Sequence, residues 1–199
     1  MSTLLSMLTQ QLGGDTMKKI SSQLGADENA TKGAISASLP LLINALSRNA
    51  SSDDGANALS NALSKDHDSG DLGNLQGFLG SSDTSAGDGI LRHVLGGKQS
   101  AVQNGLSKSS GLDSSSVGKL MGMLAPLVMG TLGKVKKEKG LDTQGLAGFL
   151  GQERQAMESS EPKAMGFMSS LLDADRDGDV DASDMIKHGM SLVSKFFKH

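Results

Sequence analysis

The chain contains no cysteine, no tryptophan and no tyrosine. Without thiols, a disulfide framework, thiol catalysis and cysteinyl metal sites are all excluded, and the absence fits a reducing compartment. Phe78, Phe149, Phe167, Phe196 and Phe197 are the only aromatic residues among 199. A core must therefore come from Leu, Ile, Val, Met and Ala, which points to small-residue helix packing. No segment approaches the roughly 18 consecutive apolar residues of a membrane-spanning helix. The first residues carry no basic stretch and no small-residue cleavage site, so no secretory signal is expected. No basic patch with interleaved aromatics suggests nucleic-acid binding. Serines lack a nucleophile-elbow pattern and no glycine-rich phosphate loop leads into a lysine, so no enzyme class is indicated. The expected protein is soluble, cytoplasmic and non-enzymatic, with no membrane or nucleic-acid partner.

The chain does contain an internal likeness at an offset of 86 residues. Ser21, Gly25, Asp27, Pro40, Leu41 and Leu46 fall on Ser107, Gly111, Asp113, Pro126, Leu127 and Leu132. In each copy a Gly ends one helix, and an Asp two residues later can cap the next by accepting its free backbone N–H groups. Gly140-Leu141-Asp142 reads as a third start of the same kind. Pro40 and Pro126 lie far inside their helices, where a missing N–H and a clash with the preceding turn predict a bend or a break.

Strand-like alternation is scarce, so the expected fold is all-α, a duplicated helical bundle followed by one EF-hand-like helix-loop-helix. The expected units are 1–80, 87–151 and 162–199. Helices are expected near 3–12, 15–24, 27–47, 54–64, 87–95, 98–108, 113–133, 142–150, 162–172 and 182–197. Residues 65–89, rich in Asp, Ser and Gly, read as a linker that could hold a short amphipathic helix around Leu72, Leu75, Phe78 and Leu79. Residues 152–162 read as a second polar break. Lys134, Lys136, Lys137 and Lys139 read as a solvated helix end.

The pattern Leu24-Gly25-Ala26-Asp27 followed by Leu39-Pro40-Leu41-Leu42 and Ala45-Leu46, with its looser second copy from Gly111 to Val128, resembles the YidB-like family of uncharacterised bacterial proteins. Gly77-Phe78-Leu79-Gly80 and Gly89 to Gly96 are similar to recurring segments of that family. The resemblance covers about residues 1–151. It implies a helical fold and brings no established activity or catalytic residues.

The clearest chemistry lies beyond it. Residues 173–184 read Asp-Ala-Asp-Arg-Asp-Gly-Asp-Val-Asp-Ala-Ser-Asp. Six aspartates and one arginine give this stretch a charge of −5, which leaves the other 187 residues at +2 within a net −3. The spacing fits an EF-hand calcium loop. Asp173, Asp175 and Asp177 would converge their carboxylates, Gly178 would permit the sharp turn, and Asp179 would offer its backbone carbonyl. Val180 would anchor the loop, Asp181 would act through water, and Asp184 would close the shell. Oxygen-only ligation selects a hard cation, Ca²⁺, with Mg²⁺ as a competitor. The last position is usually Glu. A loop ending in Asp resembles dockerin-like modules.

Met165, Met168, Leu171 and Leu172 before the loop, and Met185, Ile186, Met190, Val193 and Phe197 after it, follow helical spacing. EF-hands usually pair, so an unpaired one is expected to pack on the bundle, to self-associate or to engage a protein partner. Two other candidates are weaker. Asp66-His67-Asp68 cannot direct three adjacent side chains at one ion, and His93 and His188 fit packing or surface roles. The expected function is calcium binding with a regulatory or structural purpose. The competing expectation is an interaction scaffold in which the metal is only a staple.

Overall fold

The computed structural model describes residues 2–65 and 84–160. The helices are α1 (Thr3–Gln11), α2 (Asp15–Leu24), α3 (Glu28–Asn49), α4 (Asp53–Lys65), α5 (Ser85–Leu95), α6 (Gln99–Ser110), α7 (Ser114–Glu138) and α8 (Thr143–Ser160), with a single 3₁₀ turn, Gly96–Lys98, between α5 and α6. No strand occurs among the described residues. The all-α expectation holds for this part of the chain. The expected helices at 162–172 and 182–197, and the short helix around Leu72 to Leu79, lie outside the described residues.

The three aspartates expected to cap helices do so. Asp27 Oδ1 accepts the amides of Asn29 at 2.9 Å and Ala30 at 3.1 Å. Asp113 Oδ1 accepts Ser116 N–H at 3.0 Å, and Asp142 Oδ1 accepts Gly145 N–H at 2.7 Å. Ahead of the first two caps, Gly25 and Gly111 end α2 and α6 with φ of +62° and +77°, a left-handed backbone that only glycine adopts without strain. The segments α2–α3 and α6–α7 thus share one local design: helix, left-handed glycine, aspartate cap, long helix containing a proline.

The long helices form the centre. In α3 every residue from Leu41 to Ser47 is buried, and in α7 only Pro126 interrupts burial between Leu120 and Gly133. A helix buried on all sides must be wrapped on all sides. Accordingly α3 packs against α8, α6, α7 and α2, and α7 packs against α5, α6, α1 and α4. Leucines, valines, isoleucines and methionines from Leu4 to Met157 join in one core cluster. Helix α7 is 25 residues long, with a mean hydropathy of 1.2 over its most apolar 18 residues, and 72 % of that stretch is buried in the bundle.

Three expectations are corrected. First, of the bend or break expected at each proline, the break does not occur: α3 runs through Pro40 and α7 through Pro126 as continuous helices. A proline in a helix interior costs about 3 kcal/mol, and burial on both sides of it in each helix offsets that. Second, the polar break at 152–162 is helical as far as Ser160, because Glu153 and Met157 continue the buried stripe of Leu146, Phe149 and Leu150. Third, α5 begins at Ser85, inside the expected linker, although residues 66–83 of that linker lie outside the described residues.

Candidate functional site

The residues expected to hold calcium, Asp173, Asp175, Asp177, Asp179, Asp181 and Asp184, all lie outside the described residues, as do Asp66, His67, Asp68 and His188. Among the described residues, no three His, Cys, Asp or Glu side chains gather at a spacing suited to a metal. What the described bundle does bring together is a buried carboxylate and the start of its first helix.

Helix α8 presents Leu146, Phe149, Leu150, Glu153 and Met157 at intervals of three and four residues, so all five lie on one face. That face is buried, and Glu153 with it, at 5 % exposure. An ionised carboxylate in such a place needs strong hydrogen-bond donors. They come from the N-terminus of α1, some 150 residues away in sequence. Thr3 N–H donates to Glu153 Oε1 at 3.1 Å and Leu4 N–H to Oε2 at 2.9 Å. The Ser2 hydroxyl also donates to Oε2, and it accepts Leu5 N–H at 3.0 Å.

Ser2 and Glu153 together satisfy the first three amides of α1, which no carbonyl of the same helix can reach. The carboxylate also lies at the positive end of the α1 dipole. Its oxygens are occupied by these donors, so it serves as a remote cap. It is not placed as a proton donor or nucleophile toward a substrate.

A second feature is an open groove of about 700 Å³ where the end of α3, the start of α4 and the stretch of α8 from Thr143 to Arg154 meet. Its polar lining includes Arg48, Asp53, Asn57, Gln144 and Arg154 together with the hydroxyls of Ser47, Ser51 and Thr143, and Ala50, Ala56, Ala147 and Gly151 lie between them. Arg154 forms an exposed ion pair with Glu158 at 3.8 Å. The lining contains hydrogen-bonding groups of both kinds and charges of both signs.

Other contacts add to the reading of the lysine run, of which Lys134, Lys137 and Lys139 are exposed as expected. Lys136 Nζ donates to the Ser60 carbonyl at 2.9 Å and to Ser64 Oγ at 2.7 Å, closing the last turns of α4. Lys139 Nζ stands 4.9 Å from the centre of the Phe149 ring, within cation–π range. Lys134 pairs with Glu138 at 3.8 Å on the surface. The run is therefore partly a set of tertiary contacts. Asn49 does similar work, its side-chain amide donating to the carbonyls of His93 at 3.3 Å and Val94 at 3.0 Å at the end of α5. His93 itself is exposed, the surface role of the two expected for it. Glu153, Lys136 and Asn49 carry no local sequence signal for these roles, because each partner is 44 or more residues away.

Comparison with curated proteins gives no match, and comparison with solved structures gives none. One family does match, across residues 6–135, which run from the first helix to near the end of α7 and stop short of both α8 and the acidic loop. The chain therefore belongs to the family described as bacterial proteins of unknown function, DUF937.

Proposed function

We propose that this is a non-enzymatic, cytoplasmic helical protein that binds calcium through residues 173–184, with Mg²⁺ as a weaker competitor. The observation that carries the reading is the spacing of Asp173, Asp175, Asp177, Gly178, Val180, Asp181 and Asp184, which fits the EF-hand template. The loop lies beyond the family-matched region, so calcium binding is proposed of this chain and not of the family. The loop has a local charge of −5. Its carboxylates repel one another without an ion, so binding should be coupled to ordering.

Isothermal titration calorimetry on chelator-stripped protein tests the reading. Wild type should take up one calcium ion and Asp173→Ala should take up none. Heat-silent wild type at millimolar calcium, or identical isotherms for the two proteins, would remove the proposal.

A second reading treats the bundle as an interaction scaffold and the metal as a static staple. The open groove between α3, α4 and α8 supports it, as does the likeness of α2–α3 to α6–α7, which fits two copies of one helical unit at 1–80 and 87–151. The partner would be another protein or a second copy of this chain. Affinity separates the two readings. A regulatory site binds in the micromolar range, whereas a staple stays filled through repeated dilution.

A further inference from the structure

Helix α1 combines features not shared by the other described helices. It spans only nine residues, too few to be stable in isolation. It is joined to α2 through Gly13 and Gly14, the latter with φ of +60°. It packs on α7 and α3 through Leu4, Leu8 and Leu12, each exposed by 2 % or less. Its N-terminus is fastened at one point, the Glu153 carboxylate. Residues 2–4 and Glu153 lie on opposite sides of the family-matched segment 6–135. The fastening therefore joins two flanks and is not part of the family's own interior.

We propose that α1 is a releasable strap, latched by Glu153, that opens while the α3–α7 centre stays folded. The physical reason lies in where each cost falls. Docked, Glu153 is stripped of water and must be satisfied by the Ser2 hydroxyl and the Thr3 and Leu4 amides. When α1 leaves, water returns to the carboxylate and to those amides together, so neither side of the latch is left buried and unpaired. The polar part of the contact therefore holds the register of α1 without making its departure prohibitive. The glycine pair at 13–14 supplies the pivot. Release uncovers an apolar strip on α7 and α3 and frees the Leu4, Leu8 and Leu12 face.

Hydrogen exchange on the full-length protein, read residue by residue, tests this. In wild type the amides of Leu8 to Leu12 should exchange at least about tenfold faster than those of Leu124 to Leu132 in α7, as expected for sub-global opening. Glu153→Gln places an amide NH₂ group where the helix presents donors. Ser2→Ala removes one donor to Glu153 and one acceptor for Leu5. Each should raise α1 exchange by a further factor of about ten and leave α7 unchanged. The strap is excluded if α1 and α7 exchange at one common rate in wild type. It is equally excluded if Ser2→Ala leaves α1 protection as it was, or if it speeds α7 as much as α1. Should Glu153→Gln fail to fold, the wild-type rates and the Ser2→Ala protein still decide the matter.

Discussion

Gly87 of α5 rests on the backbone of Gly122 of α7: a Cβ at position 87 would lie 1.8 Å from the Gly122 carbonyl oxygen and 2.8 Å from its Cα. The contact follows from a proline four residues on. Pro126 has no N–H to offer the Gly122 carbonyl, so that acceptor lacks its helical partner, and the Cα–H of a close glycine is one of the few groups that can approach it. The same crossing seats Thr84 and Asp88 against Gly122. A proline that would break an isolated helix here opens a seat for another one.

Gly87→Ala should therefore destabilise the fold by about 3 kcal/mol or more, since backbone would have to move away from backbone. Gly89, on the same helix with nothing within 4 Å of its virtual Cβ, gives the opposite sign. Gly89→Ala should stabilise by about 0.5–1 kcal/mol through helix propensity. Urea unfolding followed by far-ultraviolet circular dichroism measures both. Equal effects at the two positions would show that the close crossing does not exist in solution.

Asn49 offers a second test, of a cap made across the bundle. Its side chain holds the final carbonyls of α5 at His93 and Val94. Asn49→Ala should cost about 1–2 kcal/mol, the loss of hydrogen bonds at a partly buried helix end. His93→Ala should stay within about 0.5 kcal/mol of wild type, because the residue contributes its carbonyl while its ring is exposed. A loss on His93→Ala as large as that on Asn49→Ala would transfer the role to the imidazole.

These two cases mark the limit of what the sequence discloses. Asp27, Asp113 and Asp142 were legible as caps because cap and capped amide are two or three residues apart. Chemistry at that range is written in the local string. Glu153 read as part of a polar break, since a glutamate among Gln152, Arg154 and Gln155 carries no mark of its partner at Ser2. Lys136 read as solvated for the same reason. At the prolines a bend or a break was expected, and the break does not occur. Local rules charged them their full cost, while burial from Leu41 to Ser47 and from Leu127 to Gly133 carried both helices past them. The candidate calcium loop is legible because its ligands are consecutive, whereas the groove of α3, α4 and α8 draws on residues about a hundred positions apart.

Asp113 predicts a pH dependence of defined sign. Its carboxyl is held below its ordinary value of 3.8, first by the Ser116 hydroxyl and then by the Ser116 amide, both of which donate to the ionised form. A folded-state value below the unfolded one means the contribution is present above pH 3.8 and fades as pH falls through the lowered folded value. Comparing wild type with Asp113→Asn, which keeps a capping oxygen but loses the charge, the stability difference should be constant from pH 7 to about pH 5. It should then shrink toward zero below pH 3.8. A difference that persists undiminished at pH 2.5 would assign the effect to geometry alone.

The proposed calcium site makes its own prediction through Asp184, which stands at the loop position where a glutamate usually binds through both oxygens. Aspartate is one methylene shorter, and an ion held by fewer carboxylate oxygens there is closer to the six-ligand shell that Mg²⁺ tolerates. Asp184→Glu should therefore tighten calcium binding by about tenfold and leave Mg²⁺ affinity little changed, widening the selectivity between them. Calorimetric titration with each ion, singly and in competition, measures the change. The reverse result, calcium weakened by the longer side chain, would mean that the loop closes around the ion more tightly than the EF-hand template requires, as in dockerin-like loops that end in aspartate.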